Sequence, residues 1–392
     1  RIDPANLGGG ATDLNGLTDV LIDGDSAYFI NIPAGLSGNP AGNIIIGSGA
    51  ANSMTTATEN VVIGVNALAN DSGDSNANEN VIIGYGASQT SVTQVQAVVA
   101  IGFEASKANG NAFGGTHIGW KAADSTSSKY RSTSVGALAM SGSATAQDSV
   151  AIGYTASGFS TGTISGSTTV GYEAGSRSDA AQTTLIGYQA SKDNQAEGIV
   201  SLGYQAGFSQ TSGASNTNIG YQAGYSTTTG DNNTSIGYQA GENLSSGNNN
   251  TLIGSNSAPS VNTISNEITL GDSSVSTLRC AVTTITSLSD ERDKSEIKDL
   301  EYGLAFVDAL QPREFVWDNR VETNKDGEEF YSANKGKKDF GFIAQEVREL
   351  DNDTLRLVYS ENEEKLELSY GKLVPILVKA IQELKAEIEL LK

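Results

Sequence analysis

The sequence predicts a mainly β protein: a repetitive β-solenoid of about 17-residue coils, followed by an α+β domain that ends in a coiled-coil helix. Three observations carry that expectation. One short phrase recurs through most of the chain, the charge density jumps where the phrase stops, and the C-terminal residues carry an apolar heptad stripe. The expected organisation is an N-terminal β segment (1–42), a solenoid (43–271), an extended connector (272–288) and a C-terminal domain (289–392).

The recurring phrase is an apolar residue, Gly, two variable residues and Ala. It reads IIIGSGA from Ile44, VVIGVNA from Val61 and VIIGYGA from Val81, and later LIGYQA, SLGYQA, NIGYQA and SIGYQA. The anchoring glycines are Gly47, Gly64, Gly84, Gly102, Gly119, Gly136, Gly153, Gly171, Gly187, Gly203, Gly220, Gly237, Gly254 and Gly271, thirteen intervals over 224 residues. A helix would not keep a glycine in every period, and propeller blades need roughly 40 residues each. β-branched residues before each Gly fit coils stacked so that equivalent positions form ladders. If each repeat advances one strand spacing, thirteen steps make a rod of roughly 60 Å. Ala three positions after each Gly lets a tight coil close, and Asn43, Asn60, Asn80, Asn216, Asn233 and Asn250, four positions before it, predict a partial amide ladder.

A row of tyrosines follows the glycines (Tyr154, Tyr172, Tyr188, Tyr204, Tyr221, Tyr238). It suits packing or an intersubunit seam, with sugar stacking as the alternative. The segment DSGDSNANEN (71–80) offers oxygens but no calcium-ligand spacing, so no metal and no cofactor is expected. In outline the repeats resemble the stacked β-rolls of trimeric adhesin heads and phage tail fibres. A coil of this size encloses little core, so association of several chains would bury what one cannot. The stretch before Gly42 reads as short strands and turns leading into the rod.

Composition divides the chain at the same place. Up to Gly271 there are 7 Lys+Arg and 19 Asp+Glu, and beyond it 17 and 26. The net charge of -21 repels nucleic acid and anionic membrane surfaces, and no apolar run approaches a membrane span. The single Cys280 forms no disulfide within the chain, and the single His117 lies inside the repeats, which argues against His-based hydrolysis.

Beyond Gly271, DSSVSTLRCAVTTITSL reads as extended strand, EYGLAFVDALQP as a short helix stopped before Pro312, REFVWD as a strand, and DFGFIAQEVREL as a strand turning into a helix. The polar run from Asn319 to Asp339 reads as a protruding loop. At the C-terminus Val374, Leu377, Ile381, Leu384, Ile388 and Leu391 alternate at spacings of three and four. That is a heptad seam, and Ile at one position with Leu at the other leans by itself toward two strands.

The motifs SLSDERDKSEI, YGLAFVDALQPREFVWD, GFIAQEV and YGKLVPILVKAIQELKAEIELL together resemble the C-terminal intramolecular chaperone domain of phage tail fibres and endosialidase tailspikes, and are similar to a segment of myelin regulatory factor. The resemblance covers residues 289–392. It implies a homotrimer, where the heptad chemistry alone leaned to a dimer, with the helical stripe as trimer seam. It also implies a Ser289–Lys294 dyad that cuts the Leu288–Ser289 bond, with Asp290 and Arg292 on supporting motif positions. A serine hydroxyl needs a base, and a lysine serves only when neutral. At a reference pKa near 10.4, about one lysine in a few thousand is neutral at pH 7, so burial or a nearby cation must lower the value. Asp293, beside Lys294, departs from the family's usual apolar residue and would favour the charged amine. Pattern alone favours reading SDERDK as a helix cap with a solvated charge run, and the resemblance reverses that preference.

The function expected is a virion structural protein, a trimeric tail fibre or tailspike. It would attach to a bacterial surface glycan or receptor alongside other phage tail proteins, with self-cleavage as its one enzymatic step. The alternatives are a polysaccharide-degrading tailspike, for which acidic residues are thinly scattered, and a bacterial trimeric surface adhesin, against which a membrane anchor is wanting.

Overall fold

The computed structural model describes Val20–Asp23, Ser26–Phe29 and the chain from Gly42 onward, apart from 55–56, 70–76, 92–94, 110, 127, 144, 281–288, 319–320, 324–328, 331–333 and 352–353. The expected β-solenoid is present. Fourteen three-residue strands, Ile44–Ile46 through Ile268–Leu270, pair in parallel, each with the strand one coil away. Their registers join equivalent positions, as in Thr184↔Val200 and Thr217↔Thr234. At the open end, Val20–Asp23 and Ser26–Phe29 form an antiparallel hairpin whose second strand pairs in parallel with Ile44–Ile46. A second sheet of five parallel strands, Val95–Gln96, Asn111–Phe113, Ser128–Tyr130, Thr145–Gln147 and Thr163–Ser165, closes the middle coils on another side.

Each coil is fixed at the anchoring glycine by two independent constraints. Gly119 has φ +138° and Gly203 φ +141°, a region L side chains rarely adopt. A Cβ on Gly119 would also lie 2.5 Å from the carbonyl oxygen of Gly136 in the next coil. The glycine amide then donates to the preceding coil: Gly203 N–H to Ile186 O and Gly220 N–H to Leu202 O, both 2.8 Å. Three residues on, Ala67, Ala122, Ala190 and Ala223 are fully buried, where a larger side chain would hold the coil open.

Amide ladders run beside the strands. Asn60 accepts at Oδ1 from the backbone and side-chain amides of Asn80 (3.0 and 2.9 Å), and Asn233 accepts likewise from Asn250 (both 3.0 Å). Between these runs Ser149 and Ser167 take the place of Asn, with Ser167 N–H donating to Ser149 Oγ at 3.3 Å. A glutamine ladder, Gln189, Gln205, Gln222 and Gln239, links coils at 3.0–3.2 Å and ends on Glu173, which also pairs with Lys192 (2.6 Å).

Lys129 and His117 are ionisable groups of the interior that sequence patterning did not place there. Lys129 is fully buried in the second sheet's inward column, with Ala112 and Ala146 one rung to either side leaving it room. Its ammonium donates to Ser106 Oγ (3.3 Å) and Ala108 O (3.1 Å), and burial pushes it well below the ordinary lysine value. His117 is also fully buried, with Nδ1 2.9 Å from Ser134 Oγ and no hydrogen-bond partner for Nε2. A Cβ on Gly115 would meet that Nε2 at 2.6 Å, so glycine there leaves space for the ring. Burial, reinforced by Lys129, pushes His117 down to about 3.

Residues 271–392 form a second compact unit. It comprises helices α1 (Leu304–Ala309), α2 (Ala344–Asp351) and α3 (Leu373–Leu390) and an antiparallel strand pair, Arg313–Val316 with Lys338–Gly341. The expected protruding loop is partly structured: Glu322–Thr323 pairs with Glu329–Phe330, because the segment must reverse to bring Lys338 back to Val316. Phe306, Leu310, Val347, Leu357, Val358, Leu373 and Ile376 make the core. Asp351, buried at the end of α2, accepts from the amides of Leu355 and Leu357. The described part of the connector, Asp272–Cys280, pairs with no strand.

Two outcomes follow from this packing. Gly203→Ala is expected to destabilise by about 3 kcal/mol or more, combining strained φ with a backbone clash, whereas Ser212→Ala on the same coil should stay within about 0.5 kcal/mol. Urea midpoints of the two variants measure this. His117 is neutral when folded and protonates below about 6.5 when unfolded, so its stability contribution is complete above that value and is lost as pH falls toward 3, by at most about 1.4 kcal/mol per pH unit. Thermal melts from about pH 7 to about pH 5, above the carboxylate range, should show a decline that His117→Gln flattens.

Candidate functional site

Ser289 and Lys294 are brought together by one short turn. Glu291–Asp293 form a single 3-10 turn whose N-cap is Asp290, with Oδ1 accepting the Arg292 amide at 2.9 Å. The same carboxylate takes a bidentate grip on the Arg292 guanidinium, Nε to Oδ1 at 3.0 Å and Nη2 to Oδ2 at 2.7 Å. That pairing holds the Asp290 carboxyl below, and the Arg292 guanidinium above, their ordinary values. The Lys294 amide closes the turn on Glu291 O at 3.0 Å. The Lys294 side chain then folds back, its Nζ 2.6 Å from Ser289 Oγ and 3.2 Å from Ser289 O.

The capped turn and the Ser–Lys contact are thus both present, and the cap serves the contact. Asp290 and Arg292 brace the turn that carries Lys294 back over Ser289. Among the described residues no hydrogen bond or ion pair joins the Asp293 carboxylate to Lys294; Asp293 uses its amide on Asp290 O at 3.2 Å. Ser289, Asp290, Arg292 and Lys294 are all exposed in the single chain, and Leu288 lies outside the described residues. In this contact Lys294 Nζ donates to Ser289 Oγ at 2.6 Å, the separation across which a lysine base would take the hydroxyl proton of a nucleophilic serine.

The heptad positions lie on one side of α3. Val374, Leu377, Ile381, Leu384, Ile388 and Leu391 are exposed, while on the adjacent flank Leu373, Ile376 and Ala380 are buried, the first two in the domain core. Pro375 sits in the first turn, where its missing N–H costs nothing. Sequence patterning missed Glu383, whose carboxylate accepts the Leu304 amide at 2.7 Å and so ties the start of α1 to α3. A lone Glu in a charged helix gave no signal of this.

The tyrosine row is a stack. Tyr154, Tyr172, Tyr188, Tyr204, Tyr221 and Tyr238 lie ring over ring at centroid separations of 5.1–5.3 Å. Each interior ring has both faces covered by its neighbours, so sugar stacking has only edges to meet. Several of the rod's carboxylates are engaged: Glu104 with Lys107 and Lys121, Asp148 with Arg131, Asp193 with Arg177, and Asp179 with the amides of Thr161 and Gly162. Among the described residues no cluster of three His, Cys, Asp or Glu could hold a metal, and no helix is long and apolar enough to cross a membrane.

Fold and site together define a parallel β-solenoid followed by a small α+β domain with a serine–lysine contact at its first residue. A family model described as chaperone of endosialidase matches residues 289–356, beginning at Ser289, so the solenoid is followed by a chaperone-of-endosialidase domain. The match ends before α3. Comparison with curated proteins and with solved structures gave no match.

Proposed function

We propose that this chain is a phage tail fibre or tailspike whose solenoid is a host-attachment rod, and whose C-terminal domain aligns three copies and then cuts itself off. The observation that carries this is the Ser289 Oγ–Lys294 Nζ contact of 2.6 Å at the first residue of the matched segment. In the cut, Ser289 Oγ attacks the carbonyl carbon of residue 288 while Lys294 Nζ takes its proton. The C–N bond breaks, the nitrogen of Ser289 receives the proton, and water hydrolyses the ester. Assembly supplies what the lone chain lacks. In this proposal a trimer held by the bare stripe of α3 also buries Lys294, which is exposed in the single chain, and burial favours the neutral amine that acts as base. The covered tyrosine faces and the ion-paired Glu104, Asp148 and Asp193 support attachment over polysaccharide degradation, which calls for paired carboxylates held in a groove.

Intact mass and gel analysis of the full chain test this. Wild type is expected to give two fragments meeting at Leu288 and Ser289, and both Ser289→Ala and Lys294→Ala one intact species. A single intact species in all three would reduce the domain to a clamp without cleavage. Leu384→Asp on α3 should abolish both trimerisation and cutting, and a monomer that still cuts at the wild-type rate would remove the coupling between them.

A further inference from the structure

The main sheet of the solenoid has its polarity reversed. Each strand turns its middle residue inward, and that column reads Ile45, Val62, Ile82, Ala100, His117, Ser134, Ala151, Thr169, Leu185, Ser201, Asn218, Ser235, Leu252 and Thr269, half of it polar. The first and third residues of every strand face out. Over fourteen rungs those twenty-eight positions are Ile, Val, Leu or Thr without exception, and the third column is Ile at ten of its fourteen positions. Ile152, Ile186 and Ile253 keep 38–39 % exposure although neighbours cover them above and below. A sheet that faced water would alternate the other way.

We infer that this outward face is the surface along which copies of the chain pack against one another, so that the rod itself, and not only α3, is an assembly interface. The inference rests on the assembly proposed above and names the face it uses. Three features select a second copy as the occupant. The face carries no charge on a chain of net charge -21, so it is where two like-charged molecules can approach. Its ridges repeat once per strand spacing, a pitch that another solenoid of this sequence matches along its whole length. Its area suffices: a standard interface buries roughly 800 Å² per partner, reached with about 30 Å² from each outward side chain. A glycan is a poor occupant, since the aliphatic columns present no hydrogen-bonding row beyond the threonines.

Thiol labelling of the full chain tests this. In a Cys280→Ser, Ser289→Ala background, Ile186→Cys places a thiol on the face and Ser212→Cys an exposed one off it, with Val200→Cys as a second face position should Ile186→Cys disturb folding. In the native assembly the face thiols are expected to react with a maleimide at least about tenfold more slowly than the thiol at 212, with all rates equal in denaturant. Equal native rates in chains that sediment as trimers would overturn this inference and leave the assembly proposal standing. Chains that sediment as monomers would overturn both.

Discussion

The close approach of successive coils at the anchoring glycines is the constraint on which the rest of the rod depends. At Gly119 the next coil's carbonyl lies where a Cβ would be, and the backbone is held at φ +138°. Once coils are that close, position must stack on position. The asparagine, glutamine and tyrosine ladders follow from that identity of register, and each satisfies or covers groups that a coil alone leaves bare. The stack is quasi-one-dimensional, each coil contacting mainly its neighbours, so irregular coils are tolerated wherever the glycine contact is kept.

The narrow lumen explains the unusual distribution of polar groups. A coil closed on buried alanines has little room inside, so the inward column takes Ser, Thr and Asn, of which Ser134, Thr169, Ser201 and Asn218 bond from coil to coil, with Lys129 and His117 seated among Ala and Gly. Apolar surface that a thicker domain would hide inside is displaced to the outer face. A thin rod with such a face would gain from side-by-side association. In the assembly proposed above, the C-terminal domain answers that need by aligning the chains at one end.

Much of this was legible in the sequence because stacking forces periodicity. The glycine spacing, the alanine three residues later and the asparagine four residues earlier each report a position in the coil. Local geometry without a repeating letter was not legible. Gln189, Gln205, Gln222 and Gln239 adopt positive φ, and so do Gly207, Gly224 and Gly241 two residues after the last three, a corner that the recurring YQAG hinted at. The five-strand second sheet went unread because NAF, SKY and TAQ share no composition, only a spacing of 17. Lys129 carries no signal of burial in its own segment; the alanines one period to either side are the sign of a hole made for it. In the C-terminal domain the α3 stripe was visible as a spacing and the Ser289–Lys294 pairing came from the family resemblance, whereas the Asp290–Arg292 clamp and the Glu383 cap depend on how side chains fold back in space.

Hydrogen exchange on the full-length chain bears on the stacking most directly. The amides of Gly64 through Gly254 at the anchoring positions each donate to the preceding coil at 2.8 Å, so they should exchange slowly and as one cooperative group along the rod. Exchange of those amides at the rate of an unstructured chain, while α1, α2 and α3 remain protected, would contradict the stacked-coil account.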